Sequence, residues 1–220
     1  MILIIRGHIR KSFINKDFLN LVKSIYEIDN NLKIYIHTWN IFSSNKSWRY
    51  IETNNTQVTK DIIYDYFNEF RYLIKEIIID DDTKISLIGN LEGNIKNCLM
   101  PIHSWKNYWY GQYRIIHFLN YLDIDKNEFI INCRFDVLNN SYSFNHYEII
   151  NFIIVNKNNI FTKNNFIKDY ECKGIDNIYI GNIYTMYKLI YEFNFNLDSI
   201  LNKNESNHPE YLVFRINNYI

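Results

Sequence analysis

Apolar residues along this chain switch repeatedly between two spacings. Ile2 to Ile5 is an unbroken apolar run of strand length, the pattern of a strand covered on both faces. Gly7, His8, Ile9 and Arg10 follow it. Phe13, Phe18, Leu21, Val22 and Ile25 then recur at three- and four-residue intervals, which predicts a helix. Asp17 falls early in that helix, where a carboxylate favours the dipole. Asp29-Asn30-Asn31 ends it, and Leu32 to Ile36 is the next strand. A strand, loop, helix and strand within about 35 residues has the size of a βαβ crossover.

The pattern then repeats. Ile62, Ile63, Tyr66, Phe67 and Phe70 place one apolar face on a helix over 59–71, and Lys75 to Ile79 is a strand running into Asp80-Asp81-Asp82. Residues 83–104 carry no period and include Gly89, Gly93 and Pro101, so they are expected as a long loop of the kind that is often functional. Trp105 to Leu122 is a helix. Phe129 to Cys133 is a buried strand that delivers Arg134-Phe135-Asp136-Val137 to its end. Beyond it the signal weakens. Asn139-Asn140-Ser141 reads as a turn, Tyr147 to Val155 as a strand and 156–176 as irregular surface. Ile178 to Ile180 is a short strand, Ile183 to Glu192 a helix, and 208–217 a closing helix or strand. Alternating strands and helices, without repeats or a linker, predict a single α/β domain over 1–220 with a central, mainly parallel sheet flanked by helices.

Charge narrows the function classes. Lys+Arg and Asp+Glu both number 24, for a formal net charge of zero, which argues against a bulk electrostatic grip on nucleic acid or anionic membrane. No apolar stretch approaches the roughly 18 residues of a transmembrane helix, and the opening apolar run is too short for a secretion signal. Cys98, Cys133 and Cys172 match neither a metal-ligand spacing nor a disulfide framework. A cytoplasmic protein is expected. Aromatic residues make up 17% of the chain, and tyrosine and tryptophan offer a flat apolar face with a polar edge, which suits stacking on sugars or bases. The bias toward Ile, Asn, Lys and Tyr is also what an AT-rich genome produces.

The candidate chemistry lies at strand ends, where open α/β sheets keep their ligands. An aspartate leaving a central strand, as Asp136 does, is placed to hold a divalent cation against a diphosphate. Arg10 and Arg134 offer forks of N–H donors that suit phosphate. Trp105, Tyr108, Trp109 and Gln112 fall on one helix face. Asp80-Asp81-Asp82 reads as a solvated turn.

Six segments, in order, carry a resemblance. They are Ile5-Arg6-Gly7-His8-Ile9-Arg10-Lys11-Ser12-Phe13, Ile34-Tyr35-Ile36-His37-Thr38-Trp39, the aromatic tract Trp105 to Arg114, Arg134-Phe135-Asp136, Asp176 to Asn182 with Met186, and His208-Pro209-Glu210. Together they resemble the small glycosyltransferases found in bacterial surface-polysaccharide loci and in large DNA viruses. The resemblance implies a GT-A-like, Rossmann-type domain with a nucleotide-binding half over 1–136 and an acceptor-side half over 137–220. It implies transfer from a nucleotide-diphosphate sugar to a glycan or other hydroxyl acceptor, for a surface or virion glycan. The donor would lie against Gly7, His8, Arg10, His37, Thr38, Trp39, Gln112, Arg114, Arg134 and Asp136. Asp176 would be the base for the acceptor hydroxyl, and Asp136 with His208 would hold Mn²⁺ or Mg²⁺. In one respect the chain departs from the pattern: Arg134 stands where the first motif carboxylate is usual. A glycan- or nucleotide-binding module without turnover is the alternative, and so is a sugar-nucleotide pyrophosphorylase, although Gly7 lacks the glycine-rich loop that enzyme would need.

Overall fold

A computed structural model describes residues 1–45, 51–139, 144–170, 175–204 and 208–215. Four adjacent strands, β1 (Ile2–Arg6), β2 (Lys33–Trp39), a strand at Ile74–Asp80 and another at Phe129–Arg134, run parallel from one edge of the sheet to its middle. A small hairpin, β3 (Ile41–Ser43) with β4 (Asn54–Gln57), precedes the third of them, which is therefore β5; the fourth is β6. Two further strands, β7 (Ile167–Asp169) and β8 (Ile178–Asn182), complete the sheet in the order β5-β2-β1-β6-β8-β7, with β8 antiparallel to both neighbours.

Strand alternation explains why both faces are apolar. Leu3 and Ile5 of β1, Ile34 and Ile36 of β2 and Ile131 and Cys133 of β6 point to one side. There they meet helices α1 (Asp17–Ile28), α2 (Lys60–Phe67) and a helix over His146–Asn156. Ile2, Ile4, Tyr35 and Ile130 point to the other side, under α3 (Ile102–Tyr121) and a long helix over Ile183–Lys203. The helix at 146–156 is α4 and the long one α5; α6 (Pro209–Arg215) follows. Each buried Leu, Ile or Phe contributes about 1.5–3 kcal/mol relative to an exposed one, so two such layers hold the sheet firmly between them.

Four local expectations change. Tyr147 to Val155 is helix rather than strand. Asn145 and Glu148 close a reciprocal capping box there, and Ile149, Phe152, Ile153 and Asn156 form the buried face; the run of β-branched residues obscured that spacing. The helix over 59–71 stops at Phe67 and passes into a 3₁₀ turn at Asn68–Leu73, where Asn68 has φ 47°. The helix after β8 runs on to Lys203 through a kink at Asn196. Within 156–176, Ile167–Asp169 forms the edge strand β7. Asn140, Ser141, Cys172 and residues 216–217 lie outside the described residues. Among those described, no helix is long and apolar enough to cross a membrane.

The topology opens a crevice at one end of the sheet. From β1 the chain crosses by α1 to β2 and then moves outward to β5; it later returns through α3 to β6, on the other side of β1. Neighbouring strands β1 and β6 therefore send their connections in opposite directions, and the crevice beyond their C-terminal ends is the switch point where such sheets bind ligands.

Candidate functional site

Polarity rises along one face of the sheet toward that crevice. The alternation that puts Ile2 and Ile4 under α3 also puts Arg6 there, and the same register on β6 runs from Ile130 through Asn132 to Arg134. Arg6 is only 4% exposed. Its Nε donates to Asn132 Oδ1 at 2.6 Å, and its Nη2 donates to the carbonyls of Ile175 and Asp176 at 3.1 and 2.9 Å. The guanidinium lies over the Tyr108 ring at 4.7 Å from its centre, a cation–π contact that gains from desolvation. No carboxylate pairs with Arg6 among the described residues. Beneath it, Gln112 Oε1 accepts from Asn132 Nδ2 at 3.1 Å and from the Tyr179 hydroxyl at 2.5 Å. That network holds Asn132 so that its oxygen faces the arginine.

The crevice has two compartments. The inner one, about 140 Å³, is lined by Arg6, Gly7, His8, Trp39, Asp82, Trp105, Asn107, Tyr108, Arg134 and Asp176. The outer one, about 1150 Å³, is lined by Lys11, Phe13, Phe42, Thr53, Asn54, Asn55, Tyr66 and Asp136. Arg10 lines both. In the outer compartment Phe13 stacks on Tyr66 with ring centres 3.8 Å apart and planes within 8°.

An arginine–aspartate lattice joins the compartments. Asp136, 3% exposed, accepts Arg134 Nε on Oδ1 at 2.7 Å. Its Oδ2 accepts Arg134 Nη2 at 2.9 Å and Arg10 Nη1 at 2.5 Å. Arg134 also donates from Nη1 to Asp176 Oδ2 at 2.7 Å. Burial alone would raise the Asp136 pKa, but the charges and hydrogen bonds of Arg134 and Arg10 outweigh it and hold the group at about 2. Burial would likewise lower Arg134, yet Asp136 and Asp176 push it further up. Burial is the dominant influence on Arg10 and lowers it. Asp176 Oδ1 has no partner among the described residues.

Backbone geometry at the end of β1 shapes the mouth. Gly7 has φ +88° and donates its N–H to the His37 carbonyl at 3.1 Å; an L side chain rarely adopts that conformation. Arg10 adopts φ 54° without being glycine, held by an N–H bond to the Phe42 carbonyl at 2.8 Å. Such residues cluster at functional sites because surrounding contacts must enforce them. His8 donates Nδ1–H to the Ile41 carbonyl at 3.1 Å, and burial brings it down to about 4 against that bond. It is therefore a neutral imidazole in the folded protein.

The structure gathers Gly7, His8, Arg10, Trp39, Arg134, Asp136 and Asp176 in one crevice. It separates the other expected residues from it. His37 and Thr38 are buried at the end of β2 and line neither compartment. His37 Nε2 meets Asp80 Oδ2 at 3.2 Å, and Arg114 Nε donates to the same oxygen at 2.9 Å on the outer surface. Arg114 is thus engaged as a counter-charge to Asp80. Gln112 is a core member of the network under Arg6. His208 lies against the Tyr211 ring, 5.5 Å between centres, and lines neither compartment. Arg6 and Tyr108 are the major additions, and Asp82, expected in a solvated turn, is buried and faces the inner compartment. The three consecutive aspartates diverge: Asp80 goes to His37 and Arg114, and Asp81 to Thr83 and Lys84.

A divalent cation fits this donor set poorly. Hard cations need free oxygen ligands, whereas both Asp136 oxygens already accept from guanidinium groups. Among the described residues, no group of three or more His, Cys, Asp or Glu side chains could hold a metal ion. No family model, no curated protein and no solved structure matches the chain.

Proposed function

We propose that this chain is a glycosyltransferase on a GT-A-like fold, moving a sugar from a nucleoside-diphosphate sugar to a hydroxyl of a glycan acceptor. The observation that carries the reading is the convergence of Arg6, Arg10 and Arg134 with Asp176 at the β1–β6 switch point. A donor of this kind needs an anion site, a flat surface for its base and a carboxylate beside the reacting carbon. The arginines supply the first, and Phe13 with Tyr66, in the roomier outer compartment, the second. Asp176 supplies the third. The resemblance of six segments to surface-polysaccharide glycosyltransferases points the same way.

In this reading an acceptor oxygen attacks the anomeric carbon and the bond from that carbon to the diphosphate oxygen breaks. The departing electron pair stays on the diphosphate. The acceptor proton passes to Asp176 Oδ1, the carboxylate oxygen not engaged by Arg134. The products are a glycoside and a nucleoside diphosphate. Preorganised guanidinium groups stabilise the charge that develops, without reorganising at the moment of reaction. Trp105 and Tyr108, stacked 4.3 Å apart, form a wall against which a sugar ring can lie.

The test is a thermal-shift and sugar-release screen with UDP, GDP, dTDP and CMP sugars. Saturation at 100 times the dissociation constant should add about 2.7 kcal/mol of stability. Asp176→Asn should lower turnover by about 10²–10⁴-fold, the range for lost general-base catalysis, without weakening donor binding. A nucleotide-dependent shift with no sugar release under any acceptor condition would instead favour a binding module. No shift with any nucleotide would end the donor-site reading.

A further inference from the structure

We infer that the diphosphate is held by arginines without a divalent cation, and that Asp136 is the internal counter-anion that positions Arg10 and Arg134 for it. The inference rests on the glycosyltransferase reading and deepens it. Three features of the crevice support it independently of the resemblance.

The first is the saturation of Asp136. Its two oxygens accept three N–H bonds from two arginines, at 2.5–2.9 Å. A cation bound there would sit against two fixed positive charges in a buried setting, where screening by water is weak. The second is a surplus of donors. Among the described residues, Arg10 Nε and Trp105 Nε1 are buried without a hydrogen-bond partner, and both residues line the inner compartment. Buried polar groups without partners are rare and call for an explanation. These are N–H groups, so the missing partner is an acceptor, which a phosphate supplies and a metal ion does not. Asn107 Oδ1, a buried acceptor there without a partner among the described residues, suits a sugar hydroxyl.

The third is geometric equivalence. A carboxylate and a phosphate present the same pair of oxygens to a guanidinium fork. Asp136 therefore occupies the arginines as a diphosphate would and keeps them extended while the site is empty. Arriving phosphate oxygens exchange with the Asp136 oxygens on Arg10 and add contacts to Arg6 and Arg134. When the sugar–oxygen bond breaks, the electron pair left on the diphosphate is stabilised by these guanidinium groups.

The test measures binding of UDP, GDP and dTDP to the full chain by calorimetry, in EDTA and in Mn²⁺ or Mg²⁺, with sugar release followed in parallel. The expected result is an affinity that changes by less than about threefold between EDTA and metal. Arg10→Gln should weaken binding at least about tenfold in EDTA, since it removes a charged fork. Asp136→Asn keeps the side-chain shape but removes the competing charge, so it should tighten binding in EDTA. A metal ligand at this position predicts instead that the same variant binds more weakly in Mn²⁺ or Mg²⁺. A residue serving only the fold would shift the unfolding midpoint without moving affinity in this direction. Should Asp136→Asn fail to fold, Arg134→Lys replaces it: it should weaken binding in EDTA, with no rescue by Mn²⁺. Binding or turnover that requires metal, or rescue by Mn²⁺, would overturn the arginine site and leave the glycosyltransferase reading standing. Absence of nucleotide binding in wild type under both conditions would remove both.

Discussion

Arg6 ends β1 with three hydrogen bonds to fixed acceptors and an aromatic ring under its guanidinium. A lysine keeps the charge but has no planar fork. Arg6→Lys should therefore lose at least two of those bonds and destabilise the protein by about 1–3 kcal/mol, the usual range for a buried acceptor left unsatisfied. It should also weaken nucleoside-diphosphate binding; equilibrium unfolding and calorimetry check the two effects separately, and unchanged affinity would remove Arg6 from the site. At this scale the sequence was partly readable. Arg10, Arg134, Asp136 and Asp176 follow or adjoin strands, and the structure brings all four to one crevice at the strand ends. Arg6 was harder to see because it closes an apolar run. A signal was present nonetheless: period two places it on the Ile2 and Ile4 face, under the aromatic tract of α3. His37, Gln112 and Arg114 sit in motifs as suggestive as the others, but their partners, Asp80, Asn132 and Tyr179, come from elements that linear spacing does not bring into view.

At the scale of elements, the segment between β5 and α3 is tied down by one carboxylate. Asp198, just past the α5 kink, pairs with Lys106 Nζ at 2.7 Å and accepts the Asn90 N–H at 2.9 Å. Lys106, only 6% exposed, also donates to the Ile88 carbonyl. A Cβ on Gly89 would fall 1.8 Å from the Asp198 carboxylate, and the residue has φ +78°, so any other residue there is strained in its backbone and displaces the carboxylate. Asp198→Ala should leave Lys106 largely buried and without its carboxylate partner. The expected outcome is faster amide exchange over residues 88–92 and weaker donor binding, because Asp82 and Met100 at either end of the loop line the inner compartment. Exchange unchanged there would show that the clasp is not what holds the loop. The strands β1, β2, β5 and β6 and the helix α3 were readable from periodicity. The loop's anchor was not, since Asp198 lies 108 positions from Asn90. Helix α4 resembles a strand in sequence for a different reason: its apolar content is nearly continuous, and the cap at Asn145 and Glu148 is the better guide.

For the whole molecule, the buried charges set a response to acid in two stages. Burial brings His8 to about 4 from 6.5, and it also lowers His37. Unfolded histidine takes up a proton that the folded protein refuses, so stability is full above pH 6.5 and falls as pH drops from 6.5 toward 4. Asp136 acts next. Its pKa of about 2 against an ordinary 3.8 means a contribution of about 2 kcal/mol that is present above pH 3.8 and is lost as pH falls toward 2. Denaturant midpoints measured across this range should show both declines, and His8→Asn should shrink the upper one to the part that His37 contributes while leaving the lower one unchanged. A flat profile between pH 6.5 and 4 would mean that both histidines are solvated in the native state. The sheet order and the split between β1 and β6 were not readable from the sequence, because no local pattern records which strands become neighbours. One consequence concerns which wall of the crevice can yield. Gly111 of α3 lies so near the His37 imidazole that a Cβ would come within 2.6 Å of Nδ1. A helix seated that closely on β2 cannot ride up or slide without losing its footing, so the wall carrying Trp105 and Tyr108 is a fixed gauge. Under the proposed donor reading, selection among donors of different width then falls to the rim formed by the β3–β4 hairpin, which borders the outer compartment, and altering that hairpin should change which nucleotide is accepted before it changes how the sugar is held.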